Sequence, residues 1–121
     1  MDRPKPRGHT RLFRALDSTR KGFAGAFREE AAFRQELLLA AVVIPLGLYL
    51  GHGGVERALL VGPMFLVLIV ELLNSAIEAT VDRIGFERHA LSGLAKDLGS
   101  AAVFTSLGLL AVTWILVLWT P

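Results

Sequence analysis

Glu71, Asn74, Glu78 and Asp82 fall at i, i+3, i+7 and i+11, with Ser75 beside them. On a helix this spacing gathers three carboxyl groups and an amide on one stripe about 80° wide, at 100° per residue. The opposite face, with Leu72, Leu73, Ile77 and Val81, is apolar. Carboxylates and an amide, without thiol or imidazole, suit a hard, oxygen-seeking ion such as Mg²⁺. The same carboxylates, partly removed from water, suit proton abstraction.

The stripe lies in an unexpected medium. The run Ala58–Val81 is broken only by Glu71 and Glu78. Crossing a hydrocarbon core takes roughly 20 helical residues, so this run is long enough to span. Counting from Ala58 at a 1.5 Å rise, Glu71 lies roughly 20 Å in and Glu78 roughly 30 Å in. Asp82 then emerges at the interface. An acid at the bilayer centre costs about 2.5–3.5 kcal/mol on insertion scales. Nearby cations would offset that cost, and Lys96 and Arg83 are available.

Three readings compete for such a stripe. A buried ion-pair network locking helices together is one, although a single Asn or Ser usually suffices as glue. A small proton-coupled transporter is the second, but transport sites lie near the midplane. The third is an enzyme meeting a lipid from one side and a soluble reagent from the other. The stripe descends to a polar loop, Ile84–Lys96, with Gly85, Glu87, His89, Ser92 and Gly93. That geometry favours the enzyme.

The elements that position the stripe follow from the hydropathy pattern. The chain has 121 residues, 53% of them apolar, enough for one domain. Leu37–Val55 and Leu98–Pro121 carry no formal charge and are also long enough to span. The expected fold is all-α, with membrane helices at 37–51, 58–81 and 96–119 and a surface helix at about 10–34. The 37–51 span carries no formal charge and reads as structural. Gly47 and Gly51 form a G-x-x-x-G pair suited to close helix contact. Ala95, Gly99, Ala102 and Ser106 form a small-residue stripe that permits similar approach, and Trp114 and Trp119 suit the outer interface.

Met1–Gly8 reads as a flexible start and Thr10 as a helix N-cap. Leu12, Leu16, Phe23 and Phe27 then recur on one helical stripe flanked by Arg14, Arg20, Lys21 and Arg28. This is the pattern of a helix lying in the membrane interface, and its simplest role is as an anchor.

Most Lys and Arg residues precede the first span, and Arg83, Arg88 and Lys96 lie between the second and third. The positive-inside rule places the N-terminus and this loop in the cytoplasm, and the C-terminus on the periplasmic side. The basic segment is too long for a signal-peptide n-region, and no small-x-small cleavage site follows the first span. It lacks the aromatic stacking pattern of single-strand nucleic-acid binders. No cysteine is present, which excludes disulfide and thiolate chemistry.

Three stretches carry a likeness to a known family. They are Glu30-Ala31-Ala32-Phe33-Arg34-Gln35-Glu36, then Val70–Glu78 continuing through Val81-Asp82-Arg83-Ile84-Gly85, and Leu91–Gly93 through Ala95–Val103. With the three-span layout they resemble the small bacterial diacylglycerol kinase family of integral membrane enzymes, over nearly the whole chain. The resemblance implies ATP- and Mg²⁺-dependent phosphorylation of a lipid hydroxyl at the bacterial inner membrane. It also implies a homotrimer with active sites shared between subunits. No Walker loop or protein-kinase signature is present, so ATP enters by the resemblance alone.

By the family pattern, Glu71 is the general base and Glu30 and Glu78 hold Mg²⁺. Asn74, Lys96 and Asp97 position reactants and offset phosphate charge. Arg11, Thr19, Glu87 and His89 match nucleotide-side positions, and Arg11 and Ser100 lipid-side ones. Diacylglycerol is the implied acceptor, with undecaprenol the closest alternative. Ser18 and Arg20 stand where relatives carry aromatic residues, and Ala90 and Leu94 where they carry charged ones.

Overall fold

The structure is a computed structural model that describes residues 7–87 and 89–119. It contains four helices: α1 (Gly8–Glu29), α2 (Ala31–Leu50), α3 (Gly53–Ile84) and α4 (Ala90–Trp119). The last three are long and apolar enough to cross a membrane. At 1.5 Å per residue, α3 extends about 48 Å, well beyond a hydrocarbon core of about 30 Å. Its polar end therefore projects past its apolar run, which explains why the helix continues beyond Val81.

The break between α1 and α2 falls at Glu30, whose backbone is extended (φ −118°, ψ 107°). Its N–H donates to Ala26 O at 2.9 Å, closing α1. Arg34 reaches back from α2 and donates to Phe27 O at 2.7 Å and Arg28 O at 3.2 Å. These bonds satisfy carbonyls that the end of a helix leaves open. Glu30 is thus held at a corner, and α2 begins well before the charge-free run that starts at Leu37. At the other end of α1, helical structure starts at Gly8 with Arg7 as N-cap, so Thr10 lies inside the helix. Of the expected flexible start, residues 1–6 lie outside the described residues.

The turn between α2 and α3 is equally short. Arg57 Nε donates to Leu48 O at 3.0 Å, and the His52 N–H donates to the Glu56 carboxylate at 3.1 Å. Gly53 has φ +84°, a conformation open to glycine at little cost. The two spans are consequently antiparallel neighbours, and α3 is the central helix, packed against both α2 and α4.

Leu60, Met64, Val67, Glu71 and Asn74 are the buried residues of α3. They recur every three or four positions and form one face. The core is built on its apolar half, where Met64 and Val67 meet Ala40 of α2 and Leu110 of α4. Gly47 brings α2 close to α3 and α4: a Cβ there would lie 3.1 Å from Leu60 Cβ and 3.4 Å from the Trp114 ring. Trp114 Nε1 donates to Leu60 O at 2.8 Å. The indole therefore ties α4 to α3 and does not serve only as an interfacial side chain. The Gly47 contact bears out the close approach expected of the G-x-x-x-G pair.

Candidate functional site

The packing face of α3 changes character midway. Above Glu71 it is apolar; from Glu71 onward it presents carboxyl and amide groups to the same neighbours. Glu71 is 3% exposed and Asn74 is buried beside it, so the stripe faces the interior of the bundle. The Asn74 amide donates to Glu78 Oε1 at 3.3 Å. Gly99 of α4 lies against the Asn74 side-chain oxygen so closely that any Cβ there would collide with it. The small-residue stripe of α4 thus supplies, at Gly99, the space that Asn74 occupies.

Other elements bring further carboxyl groups to this place. Glu30, at the α1–α2 corner, and Glu78, two turns along α3, both act electrostatically on Glu71. Glu36 of α2 is buried, and its carboxyl lies within hydrogen-bond reach of that of Glu71. A first span that begins at Leu37 leaves Glu36 just outside it. In the structure it belongs to the same helix, one turn from Ala40, on the buried face with Phe33.

Three buried polar atoms here lack a hydrogen-bond partner: Glu36 Oε2, Asn74 Oδ1 and Ser75 Oγ. Unpaired polar atoms cost about 1–3 kcal/mol each when buried, and their clustering marks a place built for more than packing.

A second group lies at the same end, around the turn between α3 and α4. Lys96 Nζ donates to Asp82 Oδ1 at 2.8 Å, with both side chains partly exposed. These two residues, with Gly85, Glu87, His89 and Ser92, line a cavity of about 480 Å³. A groove of about 510 Å³ runs between α1 and α3, lined by Thr19, Phe23, Glu30, Ser75 and Ala79. It is mostly apolar with Glu30 at its edge. Charged side chains stand at the wall of the first space, whereas the second is almost wholly apolar, and α3 contributes to both.

The remaining expected residues are placed less tightly. Thr19 lines the apolar groove, but its hydroxyl is spent on Ala15 O at 2.7 Å. Arg11, Asp97 and Ser100 are exposed and line neither space. Among the described residues no three acids or histidines converge closely enough to form a metal cage. The donor set near Glu71 is nevertheless made only of oxygens, as a hard cation requires.

Fold and site together define a three-span helical membrane protein with an acidic, partly desolvated site at one end of its bundle. The family described as prokaryotic diacylglycerol kinase matches residues 18–118. The chain is 54% identical to Diacylglycerol kinase of Pseudomonas aeruginosa over 119 residues, covering 95% of this chain and 97% of that one. It is 46% identical to Diacylglycerol kinase of Escherichia coli over 113 residues, covering 93% of each. Its likeness to Diacylglycerol kinase of Helicobacter pylori is 44% over 111 residues, covering 92% of this chain and 87% of that one. The chain belongs to the prokaryotic diacylglycerol kinase family and is an enzyme.

Proposed function

We propose that the protein transfers the γ-phosphate of ATP to the hydroxyl of diacylglycerol, giving phosphatidic acid. The observation that carries this reading is the burial of Glu71 among other carboxyl groups, at the end of the bundle where both open spaces lie. The curated relatives are named for the same substrate.

Phosphoryl transfer asks mainly for positioning and charge neutralisation. Glu71 takes the proton of the lipid hydroxyl as its oxygen attacks the γ-phosphorus, and ADP leaves with the bridging oxygen. Asn74, held by Glu78 and by the space at Gly99, fixes the polar wall beside that carboxylate. Lys96 exchanges its partner Asp82 for phosphate oxygens, and Asp97 orients the groups around it. Glu87 and His89 of the loop cavity hold the nucleoside end. Arg11 and Thr19 on α1, and Ser100 on α4, complete the nucleotide and lipid contacts.

Glu30 and Glu78 would hold Mg²⁺. This ion usually takes only one or two carboxylates and fills its shell with water and phosphate oxygens, so a pair of acids suits it better than a closed cage. When bound it neutralises charge on the β- and γ-phosphates.

The exposed apolar residues of α1, including Leu12, Leu16 and Phe27, fit a helix resting in the interface, with its basic residues toward anionic lipid. The distribution of Lys and Arg fits a cytoplasmic site in the bacterial inner membrane. The family likeness supports a homotrimer in which neighbouring subunits complete each site.

The test is ATP-dependent formation of phosphatidic acid by purified protein in mixed micelles, with diacylglycerol and undecaprenol assayed side by side. Preferential phosphorylation of diacylglycerol is expected. Preference for undecaprenol would reassign the acceptor. Proton-driven uptake into proteoliposomes without kinase activity would overturn the reading.

A further inference from the structure

Glu36 is a buried acid that the mechanism above does not use. It is 8% exposed and lies on the face of α2 that also buries Phe33, Ala40 and Gly47, turned toward α3. Its carboxyl is within hydrogen-bond reach of Glu71, and its Oε2 is buried without a protein partner. No Lys or Arg ion pair involves it among the described residues. A helix that needed only to pack would carry an apolar residue here, because an unpaired buried acid is costly.

We propose that Glu36 is a positioning residue for Glu71, holding its carboxylate by a carboxyl–carboxylate hydrogen bond. Two carboxyl groups facing each other need one proton between them, since an ionised pair offers only acceptors. With the proton on Glu36, its O–H donates to one oxygen of Glu71. The negative charge then stays on Glu71, and its second oxygen is left to accept the proton of the lipid hydroxyl. The proton of the Glu36–Glu71 bond is neither gained nor lost in the transfer. The lipid's proton goes to Glu71, the new O–P bond forms, and the bond to ADP breaks.

The two residues come from different helices, so the bond also fixes α2 against α3 where the apolar core gives out. A carboxylate on a flexible side chain gains from such a clamp, because a 1 Å displacement of a reacting group can cost about 10²-fold in rate.

This inference rests on Glu71 being the base. Its test uses full-length protein carrying Glu36→Leu, Glu36→Asp, Glu36→Gln, Glu71→Gln, or Glu36→Leu with Glu71→Gln. Turnover, KM for ATP and thermal denaturation are measured for each in mixed micelles. Glu36→Leu removes the donor and Glu36→Asp withdraws it by one methylene. Both are expected to lose about 10- to 100-fold in kcat with KM for ATP unchanged. Glu36→Gln keeps the length and an N–H donor and is expected to recover most of the rate. On the Glu71→Gln background, Glu36→Leu is expected to cause no further loss.

Wild-type turnover in Glu36→Asp would overturn the proposal, and so would equal losses in the Leu and Gln variants. A full additional loss on the Glu71→Gln background would show that Glu36 acts elsewhere. If Glu36→Leu fails to fold, the Asp and Gln variants carry the comparison. Full activity in Glu71→Gln would instead remove the base assignment on which the inference stands.

Discussion

Gly99→Ala places one methyl group where the structure has no room for it. The Cβ would fall onto Asn74 Oδ1, with Asn74 Cγ only 3.1 Å away. Asn74 is itself buried, so its side chain must turn or α4 must back away from α3. Overpacking of this kind costs about 1–3 kcal/mol. Loss of the long Asn74–Glu78 bond adds up to about 1 kcal/mol. Replacing glycine by alanine inside a helix returns up to about 1 kcal/mol. The expected net is a destabilisation of about 1–3 kcal/mol. The larger effect is expected on turnover, because the displaced amide adjoins both Glu71 and Glu78; a shift of about 1 Å there costs on the order of 10²-fold. A coupled ADP-release assay and thermal denaturation read the two effects separately. Gly108→Ala is the control, since a Cβ at Gly108, in the same helix, meets nothing within 4 Å. Wild-type rate and melting in Gly99→Ala would refute the placement of Asn74 against α4.

Trp114→Phe keeps an aromatic ring but loses the bond to Leu60 O and part of the packing against the core, and is expected to lower stability by about 1–3 kcal/mol with turnover unchanged. Denaturation alongside a kinase assay checks both parts. On α1, hydrogen bonds from Lys21 and then Arg20, each 3.0 Å long, hold the Asp17 carboxyl below its ordinary value of 3.8. A lowered folded value means that the contribution is present above that ordinary value and fades as pH falls through the folded one. Asp17→Asn is therefore expected to speed amide hydrogen exchange in α1 at neutral pH, less so in high salt, and to make no difference once the acid is protonated.

Much of the fold was legible because membranes impose length. The three charge-free or nearly charge-free runs mark the three long helices, and the spacing of Glu71, Asn74 and Glu78 correctly predicts a shared helical face. What that face touches was less visible. A spacing rule aligns residues along one helix, and says nothing of the Gly99 surface that Asn74 meets across the bundle. Glu36 shows the same limit from another direction. Charge-free runs define the hydrocarbon-spanning part of a helix, and an acid one residue outside such a run reads as interfacial. In the structure α2 starts at Ala31, with Arg34 tied to the end of α1, and Glu36 shares the buried face of that helix. One sequence signal pointed there: Glu36 follows Phe33 by three positions and precedes Ala40 by four, the period of a buried face. By its type Trp114 suits the outer interface, whereas its indole N–H meets the Leu60 carbonyl of α3. The nucleotide had no local signature and came only through the family likeness.

The most direct measurement is transfer of labelled γ-phosphate from ATP to diacylglycerol by purified wild-type and Glu71→Gln protein at equal, folded concentration. Gln keeps the shape of the buried side chain but cannot accept the hydroxyl proton as a carboxylate does. Loss of about 10²- to 10⁴-fold in the variant, with KM for ATP little changed, is the expected result for removal of a general base. Equal rates of phosphatidic acid formation in the two proteins would contradict the assignment of the α3 stripe as the catalytic site.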